Sequence, residues 1–95
     1  METVTIDGEE FALSPLPVGK IKLLSSAFDP EKVSEMEMFE NMIYFIHASL
    51  SRITKEITIE FIEDNITVVE ASEIFKKVIE VSGAVPNNEK KTQMK

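Results

Sequence analysis

Five consecutive apolar residues, Met42-Ile43-Tyr44-Phe45-Ile46, interrupt the longest helical pattern in this chain and limit its folding more than any other segment. The pattern runs from about residue 34 to residue 53, with Phe39, Met42, Ile43, Ile46, Leu50 and Ile53 at helical spacing on one main face. Met38 and Phe45 widen that stripe, and Tyr44 sits almost opposite it, so the middle of the helix is apolar nearly all the way round. In a chain of 95 residues such a helix is either central in the fold or pressed against a second chain. Ser34 is placed to cap its N-terminus, with Glu35 and Glu37 in the first turn, where carboxylates favour the positive end of the helix dipole.

A hairpin is expected at the start. Asp7-Gly8 suits the two positive φ angles of a type I′ turn, and the flanking residues alternate. Pairing Ile6 with Glu9 sets Val4 opposite Phe11, which gathers Val4, Ile6, Phe11 and Leu13 on one face and Thr3, Thr5, Glu10 and Ala12 on the other. An isolated hairpin is marginal in water, so its apolar face must rest on a helix or on another chain.

Proline at 15 and 17 ends the strand, and Ile21, Leu24 and Phe28 then trace a short amphipathic helix from about residue 18 to residue 28, closed by Asp29-Pro30. Thr58 caps a helix to about Asn65 with Ile59, Ile62 and Ile66 inward. Its β-branched residues also suit a strand, but Glu60, Glu63 and Asp64 fit the solvent face of a helix better than strict alternation. Thr67 and Glu70 have the spacing of a capping box, Ala71, Ile74, Phe75, Val78 and Val81 form the last core stripe, and Gly83 and Pro86 stop it. The expected architecture is mainly α: an N-terminal β-hairpin followed by about four helices in a small single-domain bundle over residues 1–86. Residues 87–95 have no apolar period and read as a flexible, disordered tail.

Charge and composition narrow the function. Residues 1–86 hold 16 acidic against 7 basic side chains, which repels nucleic-acid phosphate, and no basic patch offsets it. No cysteine is present, which removes disulfides and thiolate metal sites and fits a reducing, cytoplasmic setting. The acidic, alternating N-terminus is unlike a secretory signal, and the five-residue apolar run is far too short to span a bilayer.

Nothing in the pattern gathers catalytic groups. His47 is the single histidine, and Ser51, one turn on, lacks the setting of a serine nucleophile, so a structural or surface histidine is expected. Glu60, Glu63 and Asp64 lack the spacing of a calcium loop and read as a solvated face. Gly8, Gly19 and Gly83 are too far apart to cradle a phosphate. No catalytic, metal or cofactor residues are therefore assigned, and the chain reads as a non-enzymatic binding protein. Met36, Met38 and Met42 form either core filler or an adaptable surface. The residues assigned to partner binding are Met38, Met42, Tyr44, Phe45 and Ile46 on the long helix, with Val4, Ile6 and Phe11 on the hairpin.

The order of parts resembles the small tail assembly chaperones of long-tailed bacteriophages and prophages. The likeness covers about residues 4–85 and is carried by Ile6-Asp7-Gly8-Glu9-Glu10-Phe11-Ala12-Leu13, Ala48-Ser49-Leu50-Ser51-Arg52, Thr58-Ile59-Glu60-Phe61-Ile62-Glu63 and Val78-Ile79-Glu80-Val81-Ser82-Gly83. The resemblance implies an acidic, mostly helical, cytoplasmic protein that binds the tape-measure protein during tail assembly and is absent from the finished virion. It also implies a longer form made by ribosomal frameshifting, for which adenine-rich codons at Lys90-Lys91 would serve as the slippery site. The competing expectation is a self-associating structural or regulatory protein of a phage or bacterial operon, a homo-oligomer built on Tyr44 to Ile46.

Overall fold

The computed structural model describes residues 2–84. The tail at 87–95, Pro86 and the proposed slippery site lie outside the described residues. Strands β1 (Thr3–Ile6) and β2 (Glu9–Ala12) form an antiparallel hairpin with Ile6 opposite Glu9 and Val4 opposite Phe11, the register that the alternation predicts. Asp7 and Gly8 make the turn with φ angles of 53° and 78°. Glycine accommodates this conformation without strain, and Asp is among the side chains that tolerate it best.

Five helices follow among the described residues: α1 (Val18–Ile21), α2 (Leu24–Ala27), α3 (Glu35–Leu50), α4 (Ile59–Asn65) and α5 (Val68–Ser82). The fold is thus mixed α/β rather than a bundle of about four helices with a hairpin attached. Val4, Ile6, Phe11 and Leu13 enter the same core as Ile43, Phe45, Ile46 and Leu50 of α3, Ile62 of α4 and Ile74 and Val78 of α5. The hairpin rests on α4 through Phe11, whose ring meets Phe61 edge-on with centroids 5.8 Å apart.

The segment expected as one helix over 18–28 breaks at Lys22-Leu23 into two four-residue pieces. Neither piece has a side-chain N-cap bond, and helices this short gain little from their own cooperativity, so packing decides their course. The break lets Phe28 join Phe45 and Phe75, with centroids 6.0 and 5.1 Å away, and Asn41 donates to the Ala27 carbonyl at 2.8 Å.

The longer helices begin where their caps sit. The Ser34 hydroxyl accepts from the Glu37 amide while the Glu37 carboxylate accepts from the Ser34 amide, a full capping box, and Thr67 with Glu70 repeats it at α5. Thr58 caps α4 through the Phe61 amide. Gly83 closes α5 at φ 79°. The long helix stops at Leu50, a turn earlier than its apolar spacing suggests, and Ile53 falls in the following turn, half exposed.

Between hairpin and α1 the chain runs extended, and each of its free amides has a partner. Leu13 donates to the Glu2 carbonyl at 3.0 Å, Ser14 to the Ser49 hydroxyl at 3.0 Å and Leu16 to the Ser82 hydroxyl at 2.9 Å. Positions 15 and 17 are prolines and have no donor to satisfy. The Ser49 hydroxyl donates in turn to the Ser14 carbonyl at 2.7 Å, and the Ser14 hydroxyl to the Ser49 carbonyl. Both serines are buried, so this clasp fixes the crossing strap to the otherwise apolar face of α3.

Candidate functional site

The residues assigned to partner binding separate into two groups. Val4, Ile6, Phe11, Phe45 and Ile46 lie in the core, between 0% and 6% exposed, and offer no surface to a partner. Their assignment is corrected: the hairpin face and the centre of α3 belong to one core, in which α3 packs chiefly on α5 and α4, so the apolar excess makes α3 central. Met38 and Met42 are half-buried, and Met42 packs against the core. Tyr44 alone of the eight is classed as exposed, and its hydroxyl accepts from the Lys20 ammonium. That ammonium also lies over the ring, 4.6 Å from its centroid.

An apolar surface does exist, a turn or two away. Met36 is 66% exposed and Phe39 37% on the first turns of α3, and Val68 is 55% exposed at the start of α5. Together they border a groove of about 290 Å³ floored by Ile43 and Ala71. Its shape follows from the sequence of α5. Val68 carries the core stripe one turn beyond the body of the fold, and Ala71, the smallest member of that stripe, leaves the space between the helices unfilled. Glu40 and Glu63 stand at the rim.

Apolar spacing sets Phe39 on the main face of the long helix and includes Val68 in no stripe. The readable signal was a branched apolar residue in the first turn of a capped helix, one turn ahead of a small residue. Electrostatically the groove suits a segment whose apolar residues are flanked by basic ones, since the rim carboxylates would meet cations at partly desolvated positions.

The remaining polar candidates have structural partners. His47 donates its Nε2–H to the Ile57 carbonyl at 3.0 Å and ties the end of α3 to the loop before α4. Glu60, Glu63 and Asp64 are exposed, and among the described residues no three His, Cys, Asp or Glu side chains are gathered as metal ligands. No helix of the described residues is long and apolar enough to cross a membrane. Comparison with protein families, curated proteins and solved structures finds no match for this chain.

Proposed function

We propose that this chain is a non-enzymatic assembly chaperone that binds the tape-measure protein during phage tail morphogenesis, working in the host cytoplasm and leaving before the virion is complete. The observation that carries the reading is the groove between α3 and α5, with Met36, Phe39 and Val68 at its edges and carboxylates on its rim. A tape-measure chain is a long helical segment that aggregates until the tail tube encloses it, and an amphipathic helix laid into such a groove buries its apolar stripe. Thioether and aromatic walls adapt to varied sequences, and many weak copies along one client give avidity without a strong single contact. The acidic body keeps the loaded complex in solution.

The sequence resemblance supplies the client, and the groove supplies the means. The competing reading, self-association through Tyr44 to Ile46, would have to rest on the exposed Tyr44, since Phe45 and Ile46 are inside the fold.

Co-expression with the tape-measure protein from the same gene cluster tests the proposal. A soluble complex is expected, and Phe39→Asp should abolish capture while the variant alone unfolds at nearly the unmodified temperature. A client that stays insoluble in the presence of the unmodified chain sinks the reading.

A further inference from the structure

We propose that the open edge of β1 is a docking site for an extended peptide segment of another protein, one carrying branched apolar and basic side chains. The hydrogen-bonded pairs of a two-residue hairpin in this register are Ile6 with Glu9 and Val4 with Phe11. The series continues to Glu2 and Leu13, where the Leu13 amide donates to the Glu2 carbonyl at 3.0 Å. Thr3 and Thr5 alternate with these pairs, so their N–H and C=O groups point away from β2. No described residue outside the hairpin pairs with that backbone, and both threonines are exposed.

Edges left open in this way are commonly blunted by a lysine, a proline, a bulge or a covering element. β1 has none of the first three and is protected only by its four-residue length, and in place of a cover it borders a groove of about 530 Å³ that separates it from α5. Val4, Ile66 and Ile74 line the groove along its apolar side, while Glu70 and Glu73 stand on its α5 wall. Lys77 at the same wall lies 3.8 Å from Glu2, which offsets its charge, and the remaining carboxylates of Glu70, Glu73 and Glu80 outweigh the ammonium of Lys76, so the wall stays net negative.

A strand added at the usual spacing of about 4.8 Å from β1 falls within this groove. Its backbone would pair with Thr3 and Thr5. Side chains directed inward would meet Ile66 and Ile74, and basic ones would reach Glu70 and Glu73. Main-chain pairing of this kind supplies affinity and the groove supplies selection. The site shares Ile66 with the α3–α5 groove but is built on the β1 edge, so its test is read at Thr3 and Thr5 and stands or falls independently of the tape-measure reading.

The test is titration of the isotope-labelled chain with blocked Lys-Val-Lys-Val-Lys, followed by NMR. The Thr3 and Thr5 amides should shift most and exchange with solvent at least about tenfold more slowly. Thr5→Pro removes a donor that the hairpin ladder does not use and should weaken binding about fivefold. Should that variant fail to fold, Glu73→Lys combined with Glu80→Lys on the exposed face of α5, both outside its capping box, should weaken the lysine peptide and admit Glu-Val-Glu-Val-Glu. Equal binding of the lysine and glutamate peptides to the unmodified chain overturns the proposal, as do shifts centred away from β1. So does a concentration-dependent shift at Thr3 and Thr5 without peptide, which would make a second copy the occupant.

Discussion

Ser49 shows how much one polar atom can decide. It stands 0% exposed in the apolar face of α3, accepting from the Ser14 amide and donating to the Ser14 carbonyl. Replacing it with alanine strands both groups in the interior, and a buried donor or acceptor without a partner costs about 1–3 kcal/mol. Urea unfolding of Ser49→Ala should show that loss with an unchanged denaturant slope; a change under about 0.5 kcal/mol would mean that water replaces the hydroxyl. In the sequence Ser49 looked like one more small residue near the end of a helix, because its partner is 35 positions away. His47 could be read further: the expectation for a lone histidine with no orienting carboxylate is a structural or surface role, and its hydrogen bond to Ile57 supplies the first.

The elements whose signals close within a few residues were legible. A capping box joins positions three apart, and a two-residue turn joins neighbours, so Thr67 with Glu70 and Asp7 with Gly8 announced their geometry without any tertiary contact. Thr67→Ala should therefore cost about 1 kcal/mol, seen as a lower unfolding midpoint, with fraying confined to the first turn of α5 in amide exchange. The break at Lys22-Leu23 was not legible, since Ile21, Leu24 and Phe28 fit one stripe equally well on paper. What divides the segment is the docking of Phe28 between Phe45 and Phe75. Val68→Glu belongs to this scale too: a charge on an exposed first-turn residue should leave stability within about 0.5 kcal/mol and weaken capture in the α3–α5 groove by setting a carboxylate against the client's apolar stripe. A pull-down and a melting curve on the same variant separate the two effects.

For the whole molecule, the consequence is that the core is shared between hairpin and helices. Phe45 is 1% exposed and touches both Phe28 and Phe75. Phe45→Asp removes an aromatic worth about 3–5 kcal/mol and leaves a carboxylate in its place. Against a total stability of roughly 5–15 kcal/mol, the expected outcome is a largely unfolded chain by circular dichroism. A folded, merely monomeric Phe45→Asp protein would show that this residue faces a partner after all.

The sequence by itself determined the hairpin register, the starts of α3, α4 and α5 and the acidic character, because alternation, capping and net charge are local or additive properties. Only the tertiary structure decided which of the abundant apolar residues form the core and which border a groove. That choice depends on contacts across the chain, such as Ser14 with Ser49 and Leu16 with Ser82. On spacing alone the run at Met42 to Ile46 does not say which of its members turn inward, and packing in one core with α4, α5 and the hairpin buries Ile43, Phe45 and Ile46 while Tyr44 stays exposed.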